Sequence, residues 1–530
     1  MKSKQIDLNP EEVKALLERA EKVLDHGDYE LIKAMVETMS LLSQSIDDKA
    51  TAIKRLLRML FGASTEKMKN LLKDATETKK DDDSEVAPAV EAEAKKGHGR
   101  NGSESYTGAP RIKIPHPTLK AGDPCPECPK GKAYPYEPPG VIVRFTGVAP
   151  LSATVYELEK LRCNLCGAVF TAEPPENTCA ERYDESAAAM IALLKYGSGF
   201  PFHRIEKLQE SLGIPLPAST QWDILEKRSK GPYSAWREMT RYAAQGDLFH
   251  NDDTTAKILD LVKEKNQVRK GVYTTGILSV TGERKIALFF TGRKHAGENL
   301  LALLNERHDY LGPPIQMCDA LSRNIPVGFE TILANCLTHG RRNFVEVISH
   351  FPDETRYVIG EIAIVYGNDD DALRQNLSPE ERLAFHQENS GPVMERLKEW
   401  FTDQFEQKRI EPNSSLGKAV SYMLKHWDAL TLFLRVSGAP LDNNLCERAL
   451  KKVILHRKNS LFYKTEFGAL IGDMFMSLIH TCNLGGINPF EYLKALQKHA
   501  IAVAAAPGNW MPWNYQDNLP TAPNCLSSNP

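Results

Sequence analysis

Three acidic residues from distant parts of the chain have the chemistry and the sequence context of divalent-metal ligands. Asp252 follows a short strand-like segment, Asp319 ends the apolar segment IQMCD, and Glu447 lies in the helical segment CERALKKVILHRKN. Hard cations such as Mg²⁺ require oxygen ligands, and two such ions about 3.5–4 Å apart can assist phosphodiester cleavage. A single Asp at a strand end or a single Glu on a helix is usually a solvated surface residue. The prediction therefore depends on a fold that brings the three together.

Basic residues close to these carboxylates form two groups. Residues three or four positions apart on a helix project near one another. A cationic stripe beside a carboxylate suits an enzyme that holds phosphates next to a metal ion, and a solvated basic face is the alternative. The predicted DNA-contacting residues are Arg448, Lys451, Lys452, Arg457 and Lys458 around Glu447, and Arg341 and Arg342 beside His339.

Four of the ten cysteines form two closely spaced pairs. The pairs Cys125/Cys128 and Cys163/Cys166 are CxxC motifs separated by 34 residues. A structural zinc ion takes four soft ligands in a tetrahedron, and each two-residue gap lets one turn supply two thiolates. We therefore predict a structural Zn²⁺ site. A redox-active CxxC and four unrelated buried thiols are the weaker alternatives.

The segments between residues 246 and 337 are the elements that would position Asp252 and Asp319. The runs GVYTTGILSV at 271–280 and KIALFFT at 285–291 are rich in β-branched and aromatic residues and predict strands. The predicted elements are strands at 248–251, 271–280 and 285–291, a helix at 296–306, and strands at 315–319 and 331–337. Three strands, a helix, a strand, a short helical turn and a strand is the order of an RNase H-like core. Residues 340–435 have a mainly helical pattern, and 443–455 is helical again.

The segments before this core predict three further elements. Apolar residues between 35 and 60 repeat four and three positions apart, which fits either a coiled-coil seam for oligomerisation or an amphipathic helix packed on its own domain. Residues 73–106 are charged and poor in large apolar groups, so they predict a flexible linker. The basic stretch within that linker, Lys95–Arg100, would be solvated or would touch DNA phosphates. Three short helices at 186–196, 203–212 and 221–228 suit a helix-turn-helix-like unit, although helical linkers have the same pattern.

Together these elements predict a multidomain α/β protein. Its parts are a helical or coiled-coil segment (1–72), a linker (73–106), a β-rich zinc-binding module (107–180), a helix-turn-helix-like unit (181–240), an RNase H-like domain (241–500) with a helical insertion (340–435), and a loose tail (501–530).

The composition is that of an ordinary soluble globular protein. The chain has 530 residues, of which 42% are hydrophobic and 25% charged, and its formal net charge is −3. It contains no run of eighteen apolar residues that would predict a membrane span, and its N-terminus lacks the apolar segment of a signal peptide. We therefore expect a cytoplasmic protein with no membrane partner. The net charge does not decide nucleic-acid binding, because DNA responds to local basic patches.

Several long motifs give the chain a family resemblance. They are LFGASTEKM at 60–68, GHGRNG at 97–102, CPECPKGKAY at 125–134, NDDT at 251–254, CLTHGRRNF at 336–344, LDNNLCERALKKVILHRKNSLF at 441–462 and LIHTCNLGGINPFEYL at 478–493. In this order and over nearly the whole length, the chain resembles transposases of the IS66 family of bacterial insertion sequences.

The resemblance implies a DDE transposase on an RNase H-like core with a helical insertion. It assigns the catalytic, Mg²⁺-binding (or Mn²⁺-binding) carboxylates to Asp252, Asp319 and Glu447. Two departures stand out: Asp253 replaces the usual Glu after the first aspartate and is its substitute candidate, and 320–321 is Ala-Leu where relatives typically have Gly-Tyr.

The implied reaction has two steps, in which a metal-activated water cuts DNA at an element end and the freed 3′-hydroxyl attacks target DNA. Implied partners are the terminal inverted repeats, target DNA, other copies of the chain and small accessory proteins encoded by the same element. Two alternatives remain open. One is an inactive transposase-derived DNA-binding regulator, and the other is an RNase H-like nuclease without strand transfer.

Overall fold

The structure is a computed structural model that describes residues 150–162, 169–172, 182–263 and 269–520, together with scattered positions between 17 and 134. The chain divides into two compact units, one containing Trp236–Thr481 and the other containing Asp82–Ala235 and Cys482–Pro530. Some predictions lie outside the described residues. These are the apolar repeat at 35–60, the linker at 73–106 with Lys95–Arg100, and the four paired cysteines Cys125, Cys128, Cys163 and Cys166.

Between residues 150 and 520, the described residues form seven strands and sixteen α-helices. The strands are β1 (Lys160–Arg162), β2 (Val169–Thr171), β3 (Leu248–Thr255), β4 (Tyr273–Thr281), β5 (Arg284–Gly292), β6 (Ile315–Cys318) and β7 (Ile332–Asn335). The helices are α1 (Glu185–Ala192), α2 (Phe202–Ser211), α3 (Ala218–Lys227), α4 (Lys230–Ala244), α5 (Leu259–Lys263), α6 (Ala296–Leu304), α7 (Leu337–Val347), α8 (Pro352–Arg374), α9 (Pro379–Asn389), α10 (Gly391–Glu406), α11 (Ser415–Lys425), α12 (Trp427–Leu430), α13 (Asn444–Ser460), α14 (Glu466–Leu484), α15 (Pro489–Lys498) and α16 (Ala500–Ala505).

A five-stranded mixed sheet with the order β5-β4-β3-β6-β7 organises the first unit. Strands β3, β4 and β5 pair antiparallel, whereas β6 and β7 run parallel to β3. A two-residue turn joins β4 to β5, since Thr281 pairs with Arg284. Gly282 in that turn has a φ of 55°, which glycine adopts without steric cost. All five strands lie where they were predicted, but some bounds differ. Strand β3 continues past the predicted 248–251 and contains Asp252, and β7 ends at Asn335, before the predicted 337.

The outer edge of the sheet is covered by α14. Asp473 accepts hydrogen bonds from the backbone N–H and the hydroxyl of Thr291, both at 2.6 Å. Ser477, one turn later, accepts from the N–H of Phe289 at 3.0 Å, and Thr481 accepts from the next outward-facing amide of β5 at 3.0 Å. An open strand edge is a template for aggregation. One helix face therefore satisfies three donors of β5 and closes that edge.

The other side of the sheet shares a core with the helical insertion, α7–α12. Buried side chains of β6 and β7, such as Met317 and Ala334, belong to one apolar cluster with Phe344, Phe401 and Val420 of the insertion. The rings of Phe344 and Phe401 stack with centroids 5.7 Å apart. The mainly helical pattern predicted at 340–435 is confirmed. The insertion is part of the core of this unit because its apolar faces pack on the sheet.

In the second unit, α1, α2 and α3 lie at the predicted positions of the three short helices. Asp184 caps α1 by accepting from the N–H of Ala187 at 2.9 Å. The buried side chain of Gln221 donates to the carbonyl oxygens of Phe202 and Leu216 and so ties α3 to the preceding segment. Helix α15 packs on α1. The three helices are confirmed as elements, and their DNA-binding role stays a prediction.

The prediction of a loose tail from residue 501 is wrong for the described residues up to 520. Trp510, Met511 and Tyr515 are buried at 4%, 0% and 3% exposure, and the hydroxyl of Tyr492 donates to the carbonyl oxygen of Trp510 at 2.8 Å. The Pro-, Asn- and Ala-rich composition was misleading because a few large apolar side chains are enough to anchor a short segment. Residues 521–530 lie outside the described part.

Among the described residues, α14 is the one helix long and apolar enough to cross a membrane by length and composition. Within its most apolar window, 67% is buried inside the protein. Its hydrogen bonds to β5 also place it against the sheet, so its apolar character serves packing in this unit.

Burial raises the pKa of Asp473 to about 7. The folded state therefore holds a proton at pH values where the unfolded chain has lost it. As a result, the free energy of unfolding should fall as the pH rises from about 4 to 7, by on the order of 3 to 4 kcal/mol. Asp473→Asn removes this titration, so the stability of the variant relative to the unmodified protein should improve over that range. Thermal unfolding at several pH values measures the difference.

Asp353→Asn is the matched control, because its side chain is 84% exposed. This variant keeps Asp473, so its stability should fall between about pH 4 and 7 as that of the unmodified protein does. A pH-independent difference for Asp473→Asn would contradict the assignment.

Candidate active site

Asp252 lies on the central strand β3 in a crowded, negatively charged environment. The pKa of its carboxyl is raised to about 7, chiefly by burial and also by the negative charges of Asp319, Asp253 and Glu447. The backbone N–H of Asp253 donates to its Oδ1 at 2.7 Å, which acts in the opposite direction. Asp319 and Glu447 are thus close enough to disfavour the charged form of Asp252. The fold brings the three predicted carboxylates together.

Asp319 comes immediately after β6, the parallel neighbour of β3. His250 is paired with Met317 across the two strands, and Asp252 and Asp319 each lie two residues further on. Parallel strands place their carboxyl ends at the same edge of a sheet. The two aspartates are therefore neighbours at that edge because of strand register alone.

A network of buried amides fixes the loop that carries Asp319. The side chains of Asn251 and Gln316 both donate to the carbonyl oxygen of Asn324 at 2.8 Å, and Gln316 also donates to Asn251 Oδ1 at 2.9 Å. The side-chain amide of Asn324 then donates to Asp319 Oδ1. A buried network whose members are hydrogen-bonded restrains their positions. Hydrogen bonds from residues of β3 and β6 to Asn324 therefore fix the orientation of Asp319.

Glu447 lies in the first turn of α13, and Asn443 anchors that helix to the sheet. The fully buried side chain of Asn443 donates to the carbonyl oxygen of Asn251 at 3.1 Å. Its Oδ1 lies 3.1 Å from Nδ1 of His250, and burial lowers the pKa of that histidine to about 4. A neutral His250 can donate one ring proton to Asn443. This pair of contacts links the strand of Asp252 directly to the helix of Glu447.

Glycine at position 276 allows α13 to approach the sheet closely. Gly276 on β4 is paired with Asp252 on β3, and a Cβ at this position would lie 3.0 Å from Cδ2 of Leu450. The thiol of Cys446 donates to the carbonyl oxygen of Gly276 at 3.4 Å. A larger residue would separate the helix from the strands that carry the aspartates. The sequence motifs gave no indication of this requirement.

Asp253, the substitute candidate for the first aspartate, has different partners. Its side chain is 1% exposed and its Oδ2 lies 3.0 Å from Nδ1 of His295. Arg323 lies 3.3 Å from its Oδ1. Successive side chains of a strand point to opposite faces, so Asp252 and Asp253 are directed differently. Through these contacts Asp253 links β3 to His295 and Arg323, which is a structural role.

Two further side chains lie close to the carboxylates and were missed as site residues by sequence reasoning. His339 Nδ1 is 3.8 Å from Glu447 Oε1, and the ligand atoms of Cys336, His339 and Glu447 all lie within 4.8 Å of one another. His339 had been predicted only as a member of a basic group. The CxxH spacing at the start of α7 was the available signal, since one helical turn brings positions three apart onto one face.

The helical insertion places Tyr422 of α11 near the site. Burial, and then the negative charge of Asp319, raise the pKa of the Tyr422 hydroxyl to about 12. The insertion therefore reaches the carboxylate edge of the sheet, and its helical pattern gave no sign of this.

Some of the predicted DNA-contacting residues are exposed, and the others are hydrogen-bonded within the protein or wholly or partly buried. Exposed on α13 are Arg448, Lys451, Lys452 and Lys458. Arg457 instead donates to the hydroxyls of Thr254 and Thr255 at 3.1 and 2.7 Å, so it ties the end of α13 to β3. On α7, Arg341 is buried at 7% exposure and Arg342 is half-buried. The exposed surface beside Glu447 is therefore formed by four of the seven predicted cations.

Comparison with known sequences places the chain among transposases. A family model described as "Transposase IS66 family" matches residues 181–470. This range includes all three carboxylates, the sheet, the helical insertion and α13.

Three curated relatives come from Sinorhizobium fredii (strain NBRC 101917 / NGR234), and each is described as an uncharacterized protein. The protein y4hP is 28% identical, over 63% of this chain and 63% of its own length. The protein y4jD is 32% identical over 35% of this chain and 36% of its own, and y4qI is 29% identical over 35% of both chains. The chain thus spans less than two thirds of the length of the curated relatives it matches.

Gly276→Ala should destabilise this unit by about 1–3 kcal/mol, because the added methyl group overpacks the contact between α13 and β4. Chemical denaturation measures the change in the free energy of unfolding. Gly292→Ala is the matched control, since a Cβ there would meet no atom within 4 Å. Equal losses in the two variants would show that close approach of α13 is not what position 276 requires.

Proposed function

The chain belongs to the IS66 family of transposases, and we propose that it cleaves DNA at the ends of an insertion sequence and joins the freed 3′-hydroxyl ends to target DNA. The observation that carries the proposal is the convergence of Asp252, Asp319 and Glu447. Asp252 and Asp319 each lie two residues beyond a matched pair of β3 and β6, and Asn443, one turn before Glu447, donates to the carbonyl oxygen of Asn251 on β3 at 3.1 Å. Membership in a transposase family makes DNA the partner.

We further propose that the sheet and the helices around it form an RNase H-like catalytic core. Support comes from the order of the elements: three antiparallel strands, α6, and then two strands parallel to the first. Asp252 lies on the first strand of this sheet, Asp319 follows the fourth, and Glu447 lies on the first long helix after the insertion. This placement agrees with the assignment of the three carboxylates as the DDE triad.

The donor set fits Mg²⁺ or Mn²⁺, which prefer carboxylate oxygens. Carboxylates that disfavour one another's charged forms are stabilised by a divalent cation between them. Asp252, Asp319 and Glu447 are the residues that would hold the ions. When bound, such ions supply the Lewis acidity that activates an attacking oxygen and stabilises a leaving one.

The residues of the chain itself would bind and orient the DNA. The exposed cations of α13 start next to Glu447, so a DNA backbone that contacts Arg448 and Lys451 would pass the carboxylates. Arg457, bonded to Thr254 and Thr255, would act by fixing the helix. The burial of Arg341 favours the same positioning role over direct phosphate contact.

The proposal also covers the segments before the sheet. We propose a structural Zn²⁺ bound by Cys125, Cys128, Cys163 and Cys166. Its support is that Pro124 bridges antiparallel to Lys132 and that β1 pairs with β2, so paired backbone flanks each CxxC motif. We propose that α1–α3 contribute to recognition of the terminal inverted repeats. A homo-oligomer and element-encoded accessory proteins complete the proposed assembly.

Strand transfer with a labelled terminal inverted repeat and a target plasmid in Mg²⁺ tests the catalytic assignment. Asp252→Asn, Asp319→Asn and Glu447→Gln should each lower the rate of cleavage by at least about a thousandfold, because each removes a carboxylate that holds a metal ion. Asp260→Asn is the control, since this acid on α5 is exposed and lies 3.8 Å from Lys263. Cleavage at the full rate by Asp252→Asn or Glu447→Gln would exclude the three carboxylates as the catalytic triad.

The same assay decides between the proposal and its alternatives. Binding of the repeat without cleavage by the unmodified protein would identify a DNA-binding regulator. Cleavage without joining would identify a nuclease.

Charge-neutral variants of α13 test the proposed DNA-contacting surface. Replacing Lys451 and Lys452 by Gln should weaken DNA binding for all sequences and reduce the slope of log K against log salt by about 2, since each phosphate contact contributes roughly 0.9. Lys408→Gln with Arg409→Gln is the matched control, two exposed cations at the end of α10. An unchanged slope in the α13 variant would exclude this surface from the interface.

A further inference from the structure

The start of α7 and the start of α13 place three metal-ligating side chains of different chemistry around one point. His339 Nδ1 and Glu447 Oε1 are 3.8 Å apart, and their side chains are 24% and 21% exposed. Both atoms are buried and have no hydrogen-bond partner among the described residues. The thiol sulfur of Cys336 completes a group whose ligand atoms all lie within 4.8 Å of one another.

The two unsatisfied buried atoms, His339 Nδ1 and Glu447 Oε1, require an explanation. Buried nitrogen and oxygen atoms are nearly always hydrogen-bonded, because an unsatisfied one costs about 1–3 kcal/mol. At 3.8 Å the two atoms are too far apart to bond to each other. Ligands of one tetrahedral zinc-like ion are separated by roughly 3.3–3.8 Å, given metal–ligand distances near 2.0–2.3 Å. His339 and Glu447 already have that separation.

The third ligand is held in place by the segment that anchors α13. The backbone N–H of Asn443 donates to Cys336 Sγ at 3.3 Å. A hydrogen bond to sulfur orients the group and stabilises the thiolate form, which is the form that binds metals. The elements that position Glu447 therefore also position Cys336.

We propose that Cys336, His339 and Glu447 form a mixed sulfur, nitrogen and oxygen site that binds a divalent transition metal of the Zn²⁺ and Co²⁺ class in preference to Mg²⁺. Imidazole and thiolate ligands select such metals, whereas Mg²⁺ is held by oxygen ligands alone. Three protein ligands leave a fourth position open for water or a phosphate oxygen. The site shares Glu447 with the proposed catalytic set but rests on its own geometry.

Titration with Co²⁺ tests the proposal, in full-length protein that carries a single equivalent of zinc for the proposed four-cysteine site. Tetrahedral cobalt gives intense visible absorption, and a cobalt–thiolate bond adds a charge-transfer band. Cys336→Ser should lose that band and His339→Gln should bind this cobalt equivalent roughly tenfold more weakly or worse. The paired cysteines of the proposed zinc site are present in every variant, so the difference spectrum isolates Cys336. Cys318→Ser and His295→Gln are the matched controls and should resemble the unmodified protein.

The deciding variant is His339→Gln, since its partly exposed side chain is less important for folding than the buried Cys336. A cobalt stoichiometry, affinity and spectrum equal to those of the unmodified protein in His339→Gln would overturn the proposal. Displacement of the bound Co²⁺ by Mg²⁺ at an equal concentration would overturn it as well. Asp252→Asn should lose strand transfer and keep the cobalt spectrum. Failure of strand transfer in the unmodified protein would therefore count against the proposed function and leave this site standing.

Discussion

The anchoring of α13 on β3 through Asn443 is the interaction on which the geometry of the candidate site depends. One fully buried side chain meets both His250 and the carbonyl oxygen of Asn251. Loss of one partner would leave the others unsatisfied in the core, at a cost of about 1–3 kcal/mol for each group. The anchor is specific as well as stabilising, because amide contacts of this kind fix both the distance and the rotation of the helix. Glu447 lies one turn beyond Asn443, so the same contacts fix its position.

The site concentrates negative charge, and the rest of the unit compensates for its cost. Burial of Asp252 and, after it, the nearby charges of Asp319, Asp253 and Glu447 raise the free energy of its ionised form and therefore its pKa. Such an arrangement persists only when its surroundings hold it in place. The amide network behind Asp319, the covered edge of β5 and the shared core with the insertion supply that restraint. Groups held against mutual repulsion are ready to bind cations without further rearrangement.

Much of the fold could be predicted from the sequence because its elements have simple local causes. The strands β4 and β5 lie in runs rich in β-branched and aromatic residues, and α2 and α3 follow turn glycines such as Gly213. The triad could be proposed because carboxylates at strand ends and in a distinctive helical motif are visible in the sequence. The different partners of Asp252 and Asp253 were not visible, because they depend on side-chain direction and on residues more than forty positions away.

Contacts between distant segments explain what sequence reasoning missed. The closeness of Cys336 and His339 to Glu447 arises where α7 and α13 start side by side, after an insertion of about a hundred residues. The requirement for glycine at 276 comes from a helix that follows it by more than 160 residues. The order of residues 501–520 depends on three large side chains finding a core. The composition of a segment does not show which distant residues the segment packs against.

The central claim, that Asp252, Asp319 and Glu447 form one metal-binding centre, is tested most directly by anomalous diffraction from crystals of the protein soaked in Mn²⁺. The account predicts anomalous peaks within about 2.0–2.5 Å of carboxylate oxygens of all three residues, and none at Asp253, whose oxygens are engaged by His295 and Arg323. Mn²⁺ bound at Asp253, or no manganese between the three carboxylates at saturating concentration, would contradict it.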